Sequence, residues 1–207
     1  MKPQKYANKN HKFRKMVTRE WAEYEKNKLM KKKWKKLLMP EVIDTLPKKL
    51  ANNFASFKFD HVDTEVNLDA NIFLHGGIGK GKTVDAAYYY VDKVKQIYMK
   101  RGSLIGTTFH FINFPEFFML MQNRALEAHD LIQKYMNCDV LVLDEFGVSN
   151  TTSFVDNSLY VLINGRSVNQ KPTIFTSNFT LDKISEIYDS RLVRRIENDD
   201  NCVVIEK

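Results

Sequence analysis

The chain has 207 residues, of which 43 % are hydrophobic, enough for one buried core with an extension and too apolar for a disordered chain. Its net charge of +7 is unevenly placed: residues 1–40 hold 14 Lys/Arg and 3 Asp/Glu while the remaining 167 hold 18 and 22, so a basic arm of +11 precedes a body of −4. No apolar run approaches the ~20 residues of a membrane helix, no secretory signal follows Met1, and two cysteines, Cys138 and Cys202, make neither a disulfide framework nor an unaided zinc site, which points to a reducing cytoplasm.

Residues 1–10 are polar and aperiodic. From Lys12 to Leu38, apolar residues at Phe13, Met16, Val17, Trp21, Tyr24, Trp34, Leu37 and Leu38 recur at helical spacing among lysines and arginines. This predicts a basic amphipathic helix, broken near Asn27 and stopped by Pro40. Such an arm suits a polyanion or an acidic partner surface; the simpler alternative is a helix lying on its own domain with a solvated basic face. Further on, Asn71–Leu74 reads as a strand running into glycines, and Val84, Ala87, Tyr88, Val91, Val94 and Tyr98 form one stripe of a helix. Strands follow at Thr107–Ile112, Val140–Leu143, Thr173–Thr176 and Cys202–Ile205. Between them lie helices from Pro115 to about Asn123, around Leu131 to Tyr135, from Phe154 to Val168, and from Leu181 to Ile196 with a break at Asp189. Alternating strands and helices imply a mostly parallel α/β sheet with helices on both faces.

The most specific motif is Gly76, Gly77, Ile78, Gly79, Lys80, Gly81, Lys82, Thr83, which fits G-x-x-x-x-G-K-[ST] between a predicted strand and a predicted helix. Glycines let successive backbone N–H groups ring a phosphate, and the helix N-terminus adds unpaired donors and a positive end. Lys82 would reach the β- and γ-phosphates of ATP, and the Thr83 hydroxyl would take a Mg²⁺ position. The buried strand Val140–Leu143 then ends in Asp144 and Glu145, 62 residues after Lys82. After such a loop, the aspartate is expected to hold Mg²⁺ and the glutamate to polarise the attacking water as catalytic base. Thr176-Ser177-Asn178 closes the next strand; a polar side chain there could orient that water, although an Asx-turn explains Asn178 equally well. Arg191 and Arg195 lie one turn apart on a helix with Arg194 between them. Taken alone they read as the cationic end of a surface helix.

Residues 50–207 resemble the AAA+ helicase loaders of the DnaC/DnaI type and the transposition helper ATPases of the IstB type. Three stretches carry the resemblance: Cys138 to Gly147; Ile163-Asn164-Gly165-Arg166 with Lys171 to Asn178; and Ser190 to Ile196. It implies a P-loop NTPase with a five-stranded parallel sheet ordered 5-1-4-3-2, and ATP-bound subunits assembled in a ring or spiral. Asn178 becomes the sensor of the γ-phosphate. Arg191 or Arg195 becomes the arginine acting across a subunit boundary, and Arg194 falls where the family varies. Arg166 matches a family arginine without an evident role, and a helix-end surface position serves as well. The sequence ends just past the last strand, so no C-terminal lid is expected. The implied division is a partner-binding extension over 1–45 and an ATPase domain over 46–207. By the resemblance, the protein is a Mg²⁺-dependent ATPase, weak and stimulated by assembly. It would grip the replicative helicase through the N-terminal helix, with Trp21 and Trp34 as anchors, contact single-stranded DNA, and help load the helicase. Two other readings remain open at this stage. One is a transposition helper whose Lys31, Lys32, Lys33, Lys35 and Lys36 bind duplex DNA. The other is a nucleotide-dependent inhibitor of a host helicase or loader.

Overall fold

The computed structural model describes residues 11–57, 59, 62–63, 65–123, 125–147, 153–197 and 201–207; the side chains of 11–21 and 122–128 lie outside this description, and with them Phe13, Met16, Val17 and Trp21. Five strands, β1 (Asn71–His75), β2 (Phe109–Asn113), β3 (Val140–Phe146), β4 (Thr173–Ser177) and β5 (Cys202–Glu206), form one sheet in the order β2-β3-β4-β1-β5. All four pairings are parallel. This is the expected order read from its other edge.

Successive strand residues point to opposite faces, and two cores use that alternation. Phe73, Leu141, Leu143 and Phe175 face one cluster, whereas Ile72, Leu74, Val140, Val142 and Ile174 face the other. Both faces are therefore covered, which is why β3 begins as a continuous apolar run. The first cluster is closed by α5 (Phe114–Asn123), α6 (Ala125–Asn137), α7 (Ser153–Val168), α8 (Leu181–Ile187) and α9 (Ser190–Glu197). The anticipated break at Asp189 separates the last two. On the other face lies α4 (Lys82–Arg101), which buries Ala86, Ala87, Tyr90, Val91, Val94 and Tyr98. It ends where Gly102, at φ 78°, turns its N–H to the Tyr98 carbonyl at 2.7 Å.

The N-terminal region departs from expectation in three ways. Helix α1 runs from His11 to Lys33 with no break at Asn27. It passes through a π-turn over Trp34–Leu38 into α2 (Met39–Ile43), so Pro40 does not stop it. The wider turn bonds the Met39 N–H to the Trp34 carbonyl five residues back, and Pro40, which has no N–H to place, occupies the first turn of the next segment. The run ends before Pro47, and α3 (Lys48–Asn53) follows. Finally, Trp34 is 4 % exposed and stacks on Tyr98 of α4 with ring centroids 6.0 Å apart. Met30, Val42 and Leu46 join it in the second core, and Thr45 shares a 2.8 Å hydrogen bond with the buried Tyr90 hydroxyl. Packing joins the extension to the body from Met30 onward, so Trp34 is not presented to a partner as an exposed anchor.

Arg166 is also not a surface residue. It is 1 % exposed on α7. It donates to the carbonyls of Tyr135, Cys138 and Pro172 at 2.8, 2.8 and 2.7 Å and to the Thr173 hydroxyl at 2.8 Å. The guanidinium thus ties the end of α6 to the starts of β3 and β4, and carbonyls rather than a carboxylate satisfy it.

Candidate nucleotide site

The glycine-rich loop links β1 to α4, and the carboxyl ends of β3 and β4 stand beside it. A cavity of about 390 Å³ opens between residues 78–84, Glu145 and residues 176–178. This is the crevice outside the strand ends where open parallel sheets bind ligands. Gly76 adopts φ 137°, and a Cβ there would lie 2.2 Å from the Lys207 carbonyl, so only glycine fits against the residue that follows β5, the strand paired beside β1. Gly81 at φ 86° delivers the chain into α4 without a side-chain cap, leaving the first N–H groups of that helix for an anion.

Lys82 is 8 % exposed. Its ammonium donates to the Gly76 and Gly77 carbonyls at 2.8 and 2.7 Å and to Asn178 Oδ1 at 2.9 Å. Burial lowers its pKa, with the charges of Asp144 and Glu145 acting in the opposite sense. Asn178 is exposed at the end of β4, and its side chain points to the loop lysine rather than closing a local turn.

Asp144 is buried, and its Oδ1 accepts from the Thr83 hydroxyl at 2.9 Å and the Thr176 hydroxyl at 2.6 Å. Burial raises its pKa, and these two hydrogen bonds oppose the shift. Ionised Asp144 is therefore costly here unless a cation approaches. One carboxylate beside one hydroxyl is a donor set that suits Mg²⁺, which keeps water and phosphate oxygens in the rest of its shell. Among the described residues no group of three or more His, Cys, Asp or Glu converges on a metal position, so any metal here depends on phosphate. Thr83 and Asp144 would hold it, and its charge would neutralise phosphate oxygens.

Glu145 is exposed to the cavity at φ 59°, a left-handed conformation rare outside glycine. Its N–H bonds the Thr176 hydroxyl at 2.9 Å, and Asn113 at the end of β2 donates to its Oε2 at 3.1 Å. Asn113 and Thr176 thus hold the carboxylate from two sides. Sequence reasoning gave Asn113 no role, since it ends an edge strand with nothing to distinguish it, and named Thr176 only within Thr176-Ser177-Asn178, where the polar side chain singled out was that of Asn178.

The arginines are not part of this cavity. Arg191 donates through Nε and Nη2 to Asp189 Oδ2 at 2.9 and 2.8 Å, and lies 5.4 Å from the Tyr160 ring centroid. The pair holds Asp189 below the usual carboxylate range. Arg194 is exposed and Arg195 half-buried on the same helix. Cys138 is buried and Cys202 partly so, and both are free. No helix among the described residues is long and apolar enough to cross a membrane.

The fold is shared with solved replication proteins. The structure called DnaI superposes with a TM-score of 0.54 at 18 % identity, covering 77 % of this chain and 81 % of that one. The DnaC helicase loader gives a TM-score of 0.53 at 21 % identity, covering 79 % of this chain and 95 % of the other. The chromosomal replication initiator protein DnaA of Sulfurimonas denitrificans is 24 % identical over 151 residues; the match takes in 72 % of this chain but only 32 % of that protein. A family model described as IstB-like ATP binding protein matches residues 41–196: with the match spanning three quarters of its length and taking in the glycine-rich loop, the chain belongs to that ATP-binding family.

Proposed function

We propose that this protein is a Mg²⁺-dependent ATPase that serves DNA replication by binding the replicative helicase and helping to place it on DNA. One observation carries the hydrolytic part: the Glu145 carboxylate lines the same cavity as Lys82, Thr83 and Asn178, steadied by Asn113. In this reading the loop Gly76 to Thr83 cradles the phosphates, Lys82 neutralises the β- and γ-phosphates, and Thr83 and Asp144 hold Mg²⁺. Glu145 takes the proton of the attacking water, and Asn178 reports the γ-phosphate. Arg191 or Arg195 completes the site of a neighbouring subunit, so turnover rises with assembly. The helicase and single-stranded DNA are the partners, the former engaged by the extension over 1–45 and the ATPase domain taking 46–207. The likeness in fold to proteins named DnaC helicase loader and DnaI supports this choice.

A second reading is favoured by the family description itself. An IstB-like helper would bind duplex DNA and recruit a transposase, with lysines of α1 on the phosphates. Co-purification with the host's replicative helicase in ATP, ADP and no nucleotide tests the first reading. Capture that depends on ATP is the expected result. Failure to capture it, together with duplex binding whose affinity falls steeply with salt, would transfer the assignment to the helper.

A further inference from the structure

The N-terminal helix does not close completely on the body. Between the α1 end and π-turn on one side and α4 on the other runs a groove of about 500 Å³. Its floor is apolar and aromatic: Trp34, Phe59, Tyr88, Val91 and Met99. Phe59 and Tyr88 pack ring to ring at 4.9 Å, and Trp34 is fixed beneath by its stack on Tyr98. Three of the four charged residues lining the groove are cationic, Lys31, Lys35 and Lys95, against Asp92. Asp92 is already taken by Lys95 at 2.7 Å. Lys31 and Lys35 are exposed, and neither has an ion-pair partner among the described residues. They stand four residues apart on one side of the helix.

An apolar floor of this size beneath two uncompensated cations selects its occupant by charge. The chain's own basic arm is the wrong complement, since residues 11–21 carry Lys12, Arg14, Lys15 and Arg19 against Glu20 alone. A second copy's arm fails for the same reason. A nucleic-acid strand would meet two lysines but few free ring faces, because Trp34 is engaged by Tyr98 and Tyr88 by Phe59, and base stacking needs an open face. A helix with leucine-like residues on one side and carboxylates flanking them satisfies both features, as in the helix-in-groove mode of recognition.

We infer that this groove is a docking site for an acidic amphipathic helix of a partner protein, its apolar side chains seated on Tyr88, Val91 and Met99 and its carboxylates on Lys31 and Lys35. As the surface that meets the replication partner, the groove rests on the reading that the N-terminal region grips a helicase; its chemistry does not.

The test uses the full chain with Trp21→Phe, which leaves Trp34 as the only tryptophan of the two and so places the reporter in the groove. The probe is a synthetic helical peptide of about 18 residues, long enough to hold a helix, with leucine on one face and glutamate on the other. Its control carries lysine for glutamate. Saturable change of Trp34 emission is expected with the acidic peptide, at an affinity roughly tenfold above the lysine control. Lys31→Glu with Lys35→Glu, both at exposed positions, should cost the acidic peptide roughly tenfold, and Tyr88→Ala about the same. No Trp34 response, equal affinity for both peptides, or indifference to the two lysine changes overturns the inference. So does displacement of the peptide by oligo-dT at sub-saturating concentration, which would make the groove a nucleic-acid site. Helicase capture is scored separately. If the peptide binds as described and no helicase is captured, the groove stands and the replication reading falls; if the helicase is captured equally by the lysine double variant that has lost the peptide, the groove is not its attachment.

Discussion

Replacing Thr176 with valine removes one hydroxyl from a buried position and nothing else of comparable size. That hydroxyl donates to Asp144 at 2.6 Å and accepts from the Glu145 N–H at 2.9 Å, and the residue is 1 % exposed. Losing a hydrogen bond to a charged acceptor costs ~1.5–3 kcal/mol, and stranding a buried N–H costs ~1–3 kcal/mol. The added methyl group returns about 1 kcal/mol of burial. The net expectation is a loss of ~1.5–5 kcal/mol, read as a shift in urea midpoint at unchanged slope. Thr176→Ser, which keeps the hydroxyl, should lose much less. ATP turnover should fall as well, because Glu145 loses its backbone anchor, while nucleotide binding through the loop persists. A valine variant within about 0.5 kcal/mol of the parent, with unaltered turnover, would refute the claim that Thr176 couples the two carboxylate positions.

Lys82→Ala removes the buried ammonium of the loop and should weaken binding of a fluorescent ATP analogue by about tenfold or more, since a charge-assisted contact is worth ~1.5–3 kcal/mol. Glu145→Gln should bind ATP normally yet lose ~10²–10⁴ of its hydrolysis in a phosphate-release assay; normal turnover would remove it from the role of base. Because burial raises the pKa of Asp144, this carboxylate takes up its proton at a higher pH than an ordinary aspartate. Mg²⁺-ATP affinity should therefore fall on acidification before the usual carboxylate range is reached, and Asp144→Asn should flatten that profile; without nucleotide, the same shift makes Asp144 contribute a gain in stability as pH falls through the window. Arg166→Met should cost roughly 3 kcal/mol or more in denaturant, since it strands the Tyr135, Cys138 and Pro172 carbonyls that now accept from it, and should leave ATP affinity of the folded protein unchanged.

Much of this was legible because periodicity and punctuation speak directly of backbone. The five strands fall within a residue or three of the runs read from the sequence, and the glycine loop lies between strand and helix as its motif demands. What escaped was packing. Proline usually ends a helix, and the π-turn that lets Pro40 pass depends on register five residues back, which no local propensity encodes. Trp34 looked like an anchor because the stripe it belongs to says only that one face is apolar, not whether the protein's own α4 or a partner covers it. Arg166 looked like a surface arginine because its acceptors, carbonyls of three separate segments, meet only in the folded chain. Asn113 sits 32 residues from the carboxylate it touches, joined only by the β2–β3 register.

The way two adjacent carboxylates come to face different surroundings can be followed through the register of β3. Leu141, Leu143 and Phe146 all pack in the first core, yet strand residues on one face must differ by two. One residue too many lies between Leu143 and Phe146, and the pairing confirms it: Leu143 is opposite Phe175 and Phe146 opposite Ser177, three steps on one strand against two on the other. Asp144 keeps the parity of Val142 and so faces the side of α4, where Thr83 meets it. Glu145 is the inserted residue of a β-bulge, a device that re-aims a side chain beside a site. Its left-handed backbone costs ~1–2 kcal/mol that glycine would not. Two hydrogen bonds, from its own N–H to Thr176 and from Asn113 to its carboxylate, hold it there. Strain maintained by specific partners, at a residue whose carboxylate opens into the nucleotide cavity, is what makes Glu145 the candidate for a chemical task there, since a turn without one would be relieved by a glycine.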